Sequence, residues 1–128
     1  MPVASPSTIV PATTYRAIVG RVLQVARESK KAQFPNQQAF ADAVGLSQPT
    51  LSRIESGAGN VSLDQLKRLA DTLGVAPAEI LGRADRAAAD LVRRGVRVVD
   101  QLPQADPTLA VLGATALAAL LIAALSKK

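Results

Sequence analysis

The chain contains no cysteine and no histidine. The first absence excludes disulfides, thiolate nucleophiles and sulfur-ligated zinc. The second removes the imidazole that most often serves as general base or metal ligand. Tryptophan is also missing, and Tyr15, Phe34 and Phe40 are the only aromatic residues. So few rings cannot build a stacking platform for single-stranded nucleic acid. The sequence shows no metal cluster, nucleophile–base pair or phosphate-cradling loop. The expectation is a protein that binds rather than catalyses, with no cofactor, no metal and no evident small-molecule ligand. Charge is absent from residues 1–13, "MPVASPSTIVPAT". This stretch lacks the basic start and long apolar core of a signal peptide. Rich in Pro, Ser and Thr, it cannot bury a helical face, and a flexible arm is expected there.

What the chain does hold is 128 residues with a net charge of +5, enough for one small domain with appendages. The positive excess is compatible with an acidic partner, nucleic acid or an anionic membrane surface, but it is spread along the sequence. A first helix is predicted from Thr14, its cap, to about Ser29, with Ile18, Val22 and Val25 on one stripe. "KKAQFPN" breaks it, because Phe34 before Pro35 is biased to an extended conformation. Asn36 caps a second helix, "QQAFADAV", and Gly45 ends it in the left-handed conformation. Ser47 caps the third. Pro49 then falls in the first turn, where a helix has no intrahelical use for the missing N–H and a fixed φ near −65° is already helical. That helix runs from Gln48 to about Glu55. Ser62 caps a fourth, with Leu63, Leu66, Leu69, Ala70 and Leu73 as its apolar stripe, and Gly74 ends it. Pro77 opens a short fifth helix ending at "EILG".

Two short helices joined by a tight glycine turn form a helix-turn-helix candidate. Ala41 is the small residue at their closest approach, and Phe40, Val44, Leu46, Leu51 and Ile54 fill the wedge. "QQAFADAVGLSQPTLSRIESG" followed by "VSLDQLKRLADTLGVAPAEIL" resembles the Cro and lambda-repressor (XRE-type) DNA-binding family over about residues 15–82. The resemblance implies that the third helix enters the major groove of double-stranded DNA. It implies base contacts from Gln48, which occupies the position of an adenine-reading glutamine, and from Pro49, Thr50 and Arg53. Phosphate contacts are implied for Gln37, which would also brace Gln48, and for Ser47, Ser56, Asn60 and Ser62. Glu55 matches a glutamate that pairs with an arginine of the first helix, here Arg27, as a structural ion pair. Pro49 departs from the family pattern, since it offers shape but no hydrogen bond to a base. The "KKAQFPN" connection is longer than the minimal pattern. It places Lys30 and Lys31 at the edge of the site, either as solvated charges or as phosphate contacts.

Residues 83–102 are amphipathic. Ala84, Ala88, Leu91, Gly95, Val98 and Leu102 follow the alternating four-three spacing of a coiled coil. This helix either pairs two copies or packs back on the domain, and the family resemblance implies a homodimer that reads two half-sites. "PQADP" breaks the chain over 103–107. The segment "TLAVLGATALAALLIAAL" that follows is uncharged and apolar on every side, so it must be buried all round. As a helix it would be about 27 Å long, close to the hydrocarbon thickness of a bilayer. Residues 108–126 are therefore expected to form either a membrane anchor or the core of an oligomer.

The expected fold is all-α. It comprises an arm (1–13), a five-helix lambda-repressor-like domain (14–82), an amphipathic helix (83–102), a linker (103–107) and an apolar helix (108–126). The expected function is a sequence-specific transcriptional regulator, with its DNA-binding domain in the cytoplasm and its C-terminus at the inner membrane. The alternatives are a membrane-tethered adaptor whose helices bind a protein, or an antitoxin-type regulator.

Overall fold

The computed structural model describes residues 10–100 and 109–111. Strand β1 (Val10–Thr14) leads directly into α1 (Tyr15–Glu28). Four helices follow: α2 (Gln37–Val44), α3 (Gln48–Ser56), α4 (Leu63–Leu73) and α5 (Pro77–Arg93). Two short strands, β2 (Arg97–Val99) and β3 (Leu109–Val111), complete the order.

Helices α1 to α4 begin where side-chain oxygens satisfy orphan backbone donors, and α5 begins at Pro77 without such a cap. The Ala17 amide donates to Thr14 Oγ1 at 3.2 Å and the Ala39 amide to Asn36 Oδ1 at 2.8 Å. Ser62 and Gln65 form a reciprocal box, with bonds of 3.0 and 2.9 Å, satisfying two donors at once. The turn between α2 and α3 passes through Gly45 at φ +90°, a conformation that costs glycine little and a side chain much.

One core joins all five helices. Ile18, Val22 and Leu23 of α1 meet Phe40, Leu51, Leu69, Leu73, Ile80 and Leu91, each below 2 % exposed. Phe34, ahead of Pro35, is buried as well and meets the Phe40 ring edge-on at a centroid distance of 5.0 Å. Helix α1 crosses α3 at Gly20, where an added Cβ would overlap the Ile54 carbonyl oxygen and lie 2.9 Å from that of Glu55. The expected stripe of α4 is buried except for its first member: Leu63 is 83 % exposed.

The flanks depart from expectation. The fifth helix does not stop at Gly82 and give way to a separate one. It is continuous to Arg93, and Ile80, Ala84, Ala87 and Leu91 form one buried stripe, with α5 packed on α1. Part of the presumed coiled-coil seam is thus consumed within the chain. The helix ends at Arg94 and Gly95, the latter at φ +88°, so residues 97–99 are strand rather than helix. The expectation of a flexible arm fails for residues 10–13, which lie in β1. Ala12, Thr13 and Thr14 are buried, and the β-branched side chains suit a strand.

The strands are parallel in the order β2-β1-β3. Ala12, Thr13 and Thr14 pair with Arg97, Val98 and Val99, while Val10, Pro11 and Ala12 pair with Leu109, Ala110 and Val111. Pro11, which lacks an N–H, has a register partner only toward β3. The described part is mostly helical, as expected, but not wholly so. Leu109–Val111 is strand where an apolar helix was expected. The rest of that segment and the 103–107 linker lie outside the described residues. Among the described residues no helix is long and apolar enough to cross a membrane.

Candidate nucleic-acid interface

Helix α3 buries Leu51, Ile54 and Glu55 and turns its other residues outward. Pro49 and Arg53 are exposed, and Gln48 and Thr50 are half-buried. The local chemistry explains the start of the helix. Ser47 Oγ accepts the Thr50 amide at 3.2 Å and donates to Thr50 Oγ1 at 2.8 Å, with Pro49 in the first turn. Thr50 is thereby held in a defined rotamer on the outward face. Arg53 lies back along the loop after α3, with Nη2 donating to the Ala58 carbonyl at 3.3 Å.

Behind this face runs a connected set of side chains. Arg27 Nε donates to Glu55 Oε2 at 2.8 Å and Arg27 Nη2 to Glu55 Oε1 at 3.0 Å. Arg27 is 9 % exposed and Glu55 3 %, so this two-pronged pair ties α1 to α3 inside the fold. Hydrogen bonding to Glu55 raises the Arg27 pKa above the ordinary arginine value, against the opposing effect of burial. Gln37, the first residue of α2, donates through Nε2 to Glu55 Oε1 at 2.9 Å. Gln48 Nε2 in turn donates to Gln37 Oε1. The Gln37–Glu55 bond had no sequence signal, because it joins side chains of two helices whose crossing no spacing rule specifies.

The other residues named from the sequence sit around the loop that follows. Ser56 Oγ donates to the Arg53 carbonyl at 3.1 Å and accepts from the Ala58 amide at 3.4 Å, so it shapes the loop. Asn60 is exposed. Ser62 keeps its backbone N–H on Gln65 Oε1 and accepts the Gln65 amide on its hydroxyl oxygen. Asn60 and Ser62 also border an apolar hollow lined by Tyr15, Val19, Leu63, Leu66 and Leu81. Lys30 and Lys31 are exposed in the connection after α1. One cation was overlooked from the sequence: Arg68 of α4 reaches the Gly45 carbonyl at 3.5 Å, which sets it beside the α2–α3 turn. Among the described residues no group of acidic side chains could hold a metal ion.

Residues 36–80, from the Asn36 cap through α4 into α5, match a helix-turn-helix family profile. Over these residues the chain is similar to helix-turn-helix modules of XRE type. Among solved structures, the chain is similar to the crystal structure of the clp gene regulator ClgR from Corynebacterium glutamicum. Identity is 27 % and the TM-score 0.52, over 64 % of this chain and 90 % of that one. No curated protein matches the chain.

Proposed function

We propose that this protein is a DNA-binding transcriptional regulator that recognises a specific double-stranded sequence without catalysing a reaction. The helix-turn-helix match and the likeness to a gene regulator support the class. The observation that carries the finer reading is the outward face of α3. Gln48, Thr50 and Arg53 stand on one side of a helix whose opposite side is core, and none of the three is needed for that core.

In this reading the first turns of α3 enter the major groove. Gln48 reads adenine through its carbonyl and remaining amide hydrogen. Thr50 packs on a thymine methyl, Pro49 contributes shape, and Arg53 swings from Ala58 to a guanine edge or a phosphate. Gln37, with one amide hydrogen on Glu55, offers the other to a phosphate. Ser47, Ser56, Asn60 and Ser62 clamp the backbone on either side. Two additions rest on sequence alone: a homodimer reading two half-sites, and association of the apolar residues that follow β3 with the inner membrane, leaving the DNA-binding module in the cytoplasm.

Selection of bound duplexes from a random pool, followed by gel shifts across salt concentrations, tests the proposal. The expected result is an enriched motif whose affinity falls steeply with salt as counterions are released. Gln48→Ala and Arg53→Ala should relax preference at single base pairs by about 1–3 kcal/mol, whereas Asn60→Ala, at a proposed phosphate contact, should weaken all sites alike. Absent or salt-independent binding overturns the reading. Sedimentation of the purified chain tests the dimer, and cell fractionation with and without residues 112–128, a truncation that keeps β3, tests the membrane association.

A further inference from the structure

The side chains behind α3 have a direction as well as a connectivity. An ionised carboxylate accepts hydrogen bonds and donates none. Glu55, 3 % exposed and gripped by two nitrogens of Arg27, therefore admits only the nitrogen end of the Gln37 amide, which it meets at 2.9 Å. The oxygen end of Gln37 must then face Gln48, and it accepts from Gln48 Nε2. Gln48 is left with its carbonyl oxygen and one amide hydrogen for the groove. An isolated glutamine can present its amide either way round, but this one is set by a charge two residues back in the chain of bonds.

The outward pair is an acceptor beside a donor. Adenine offers the complement in the major groove, a donor at N6 and an acceptor at N7. Guanine offers two acceptors, O6 and N7, and would set its O6 against the Gln48 carbonyl. We infer that Glu55, held by Arg27, is a specificity-determining positioning residue: acting through Gln37, it fixes the amide polarity of Gln48 and so selects adenine over guanine. This rests on the proposal that Gln48 reads a base. It assigns to a buried ion pair, which touches no DNA, a part in sequence choice beyond joining α1 to α3.

The test compares matched duplexes that differ only at the base pair where Gln48→Ala removes discrimination. The native protein should prefer adenine over guanine there by about tenfold or more. In Arg27→Met/Glu55→Leu the buried pair becomes apolar, an exchange that folds commonly tolerate, and Gln37 and Gln48 are free to turn together. The expected result is that the adenine-to-guanine ratio falls to about threefold or less, while discrimination at the other base pairs persists. Should that variant not fold, Gln37→Met, at a half-exposed position, breaks the same chain of bonds and should lower the same ratio, whatever it does to overall affinity. Ile54→Val, a plain loss of packing, should leave the ratio unchanged. A folded Arg27→Met/Glu55→Leu or Gln37→Met protein that keeps the native ratio overturns the inference and leaves base reading by Gln48 intact. If Gln48→Ala alters preference at no base pair, base reading itself fails, and the inference with it.

Discussion

The helix-turn-helix and the frame around it are held together differently. In α2 and α3 each boundary is set within a few residues: Asn36 and Ser47 cap the helices by accepting backbone amides on their side-chain oxygens, and Gly45 supplies the left-handed turn. In the frame, β1 is a strand because Arg97–Val99 and Leu109–Val111 lie beside it, and α5 continues because Ala84, Ala87 and Leu91 find a buried surface. The difference separates structure encoded by neighbours in sequence from structure encoded by neighbours in space. Substitutions in the frame should therefore act on the whole domain, whereas those in the caps should act locally.

The sharpest break between the two should come from Leu91→Ala. If the α5 stripe is core, this costs about 3 kcal/mol or more, visible as a fall in urea midpoint that does not depend on protein concentration. A concentration-dependent loss would instead mark the stripe as a seam between copies. Next in size is Gly20→Ala, which drives a methyl into the α3 backbone at Ile54 and Glu55. Overpacking there should cost about 2–3 kcal/mol, and thermal melts should show it. A mild effect would mean that the α1–α3 crossing can open. Ser47→Ala, which removes one cap, should cost about 1 kcal/mol, and hydrogen exchange should show the extra opening confined to the first turn of α3.

The smallest effect concerns the junction of the two ends of the fold. Tyr15 donates to Asp85 Oδ1 at 2.6 Å. Burial first, then this bond and the Asp85 charge, push its pKa from 10.0 to about 12. A phenol whose folded pKa is raised contributes its stabilisation below the unfolded value and loses it as pH climbs through the folded one. Its share should therefore decline between pH 10 and about 12. Tyr15 is the only tyrosine and there is no tryptophan, so phenolate absorbance reports it directly. Asp85→Asn should bring the midpoint back toward 10, and an unchanged midpoint would deny the contact.

These contrasts also explain how much was legible beforehand. The starts of α1 to α4 and the glycine stops of α2 to α4 follow from single residues with known local effects, and the outward set on α3 follows from helical spacing once Leu51 and Ile54 are taken as core. Gly82 misled, because glycine often ends a helix. Here a Cβ would meet only the flexible end of Arg86, at 3.5 Å, and nothing forces a stop. Residues 10–13 read as an arm because no local rule pairs Ala12 with Arg97. Leu63 read as core because its spacing fits the stripe, whereas burial depends on what lies opposite. In the site, Arg27 and Glu55 were legible only through the family pattern, and the Gln37–Glu55 bond not at all.

The small parallel sheet has a consequence for how the chain reaches this shape. Between Ala12 and Arg97 lies almost the entire helical domain, so β1 cannot zip to β2 until α1 to α5 have brought those ends together. Local helices form in about a microsecond, whereas a contact across so long a loop must first overcome its closure entropy. A nascent chain emerging with β1 first would carry an apolar, unpaired strand until its partners have been synthesised. The first described element of the chain is thus among the last to find its place.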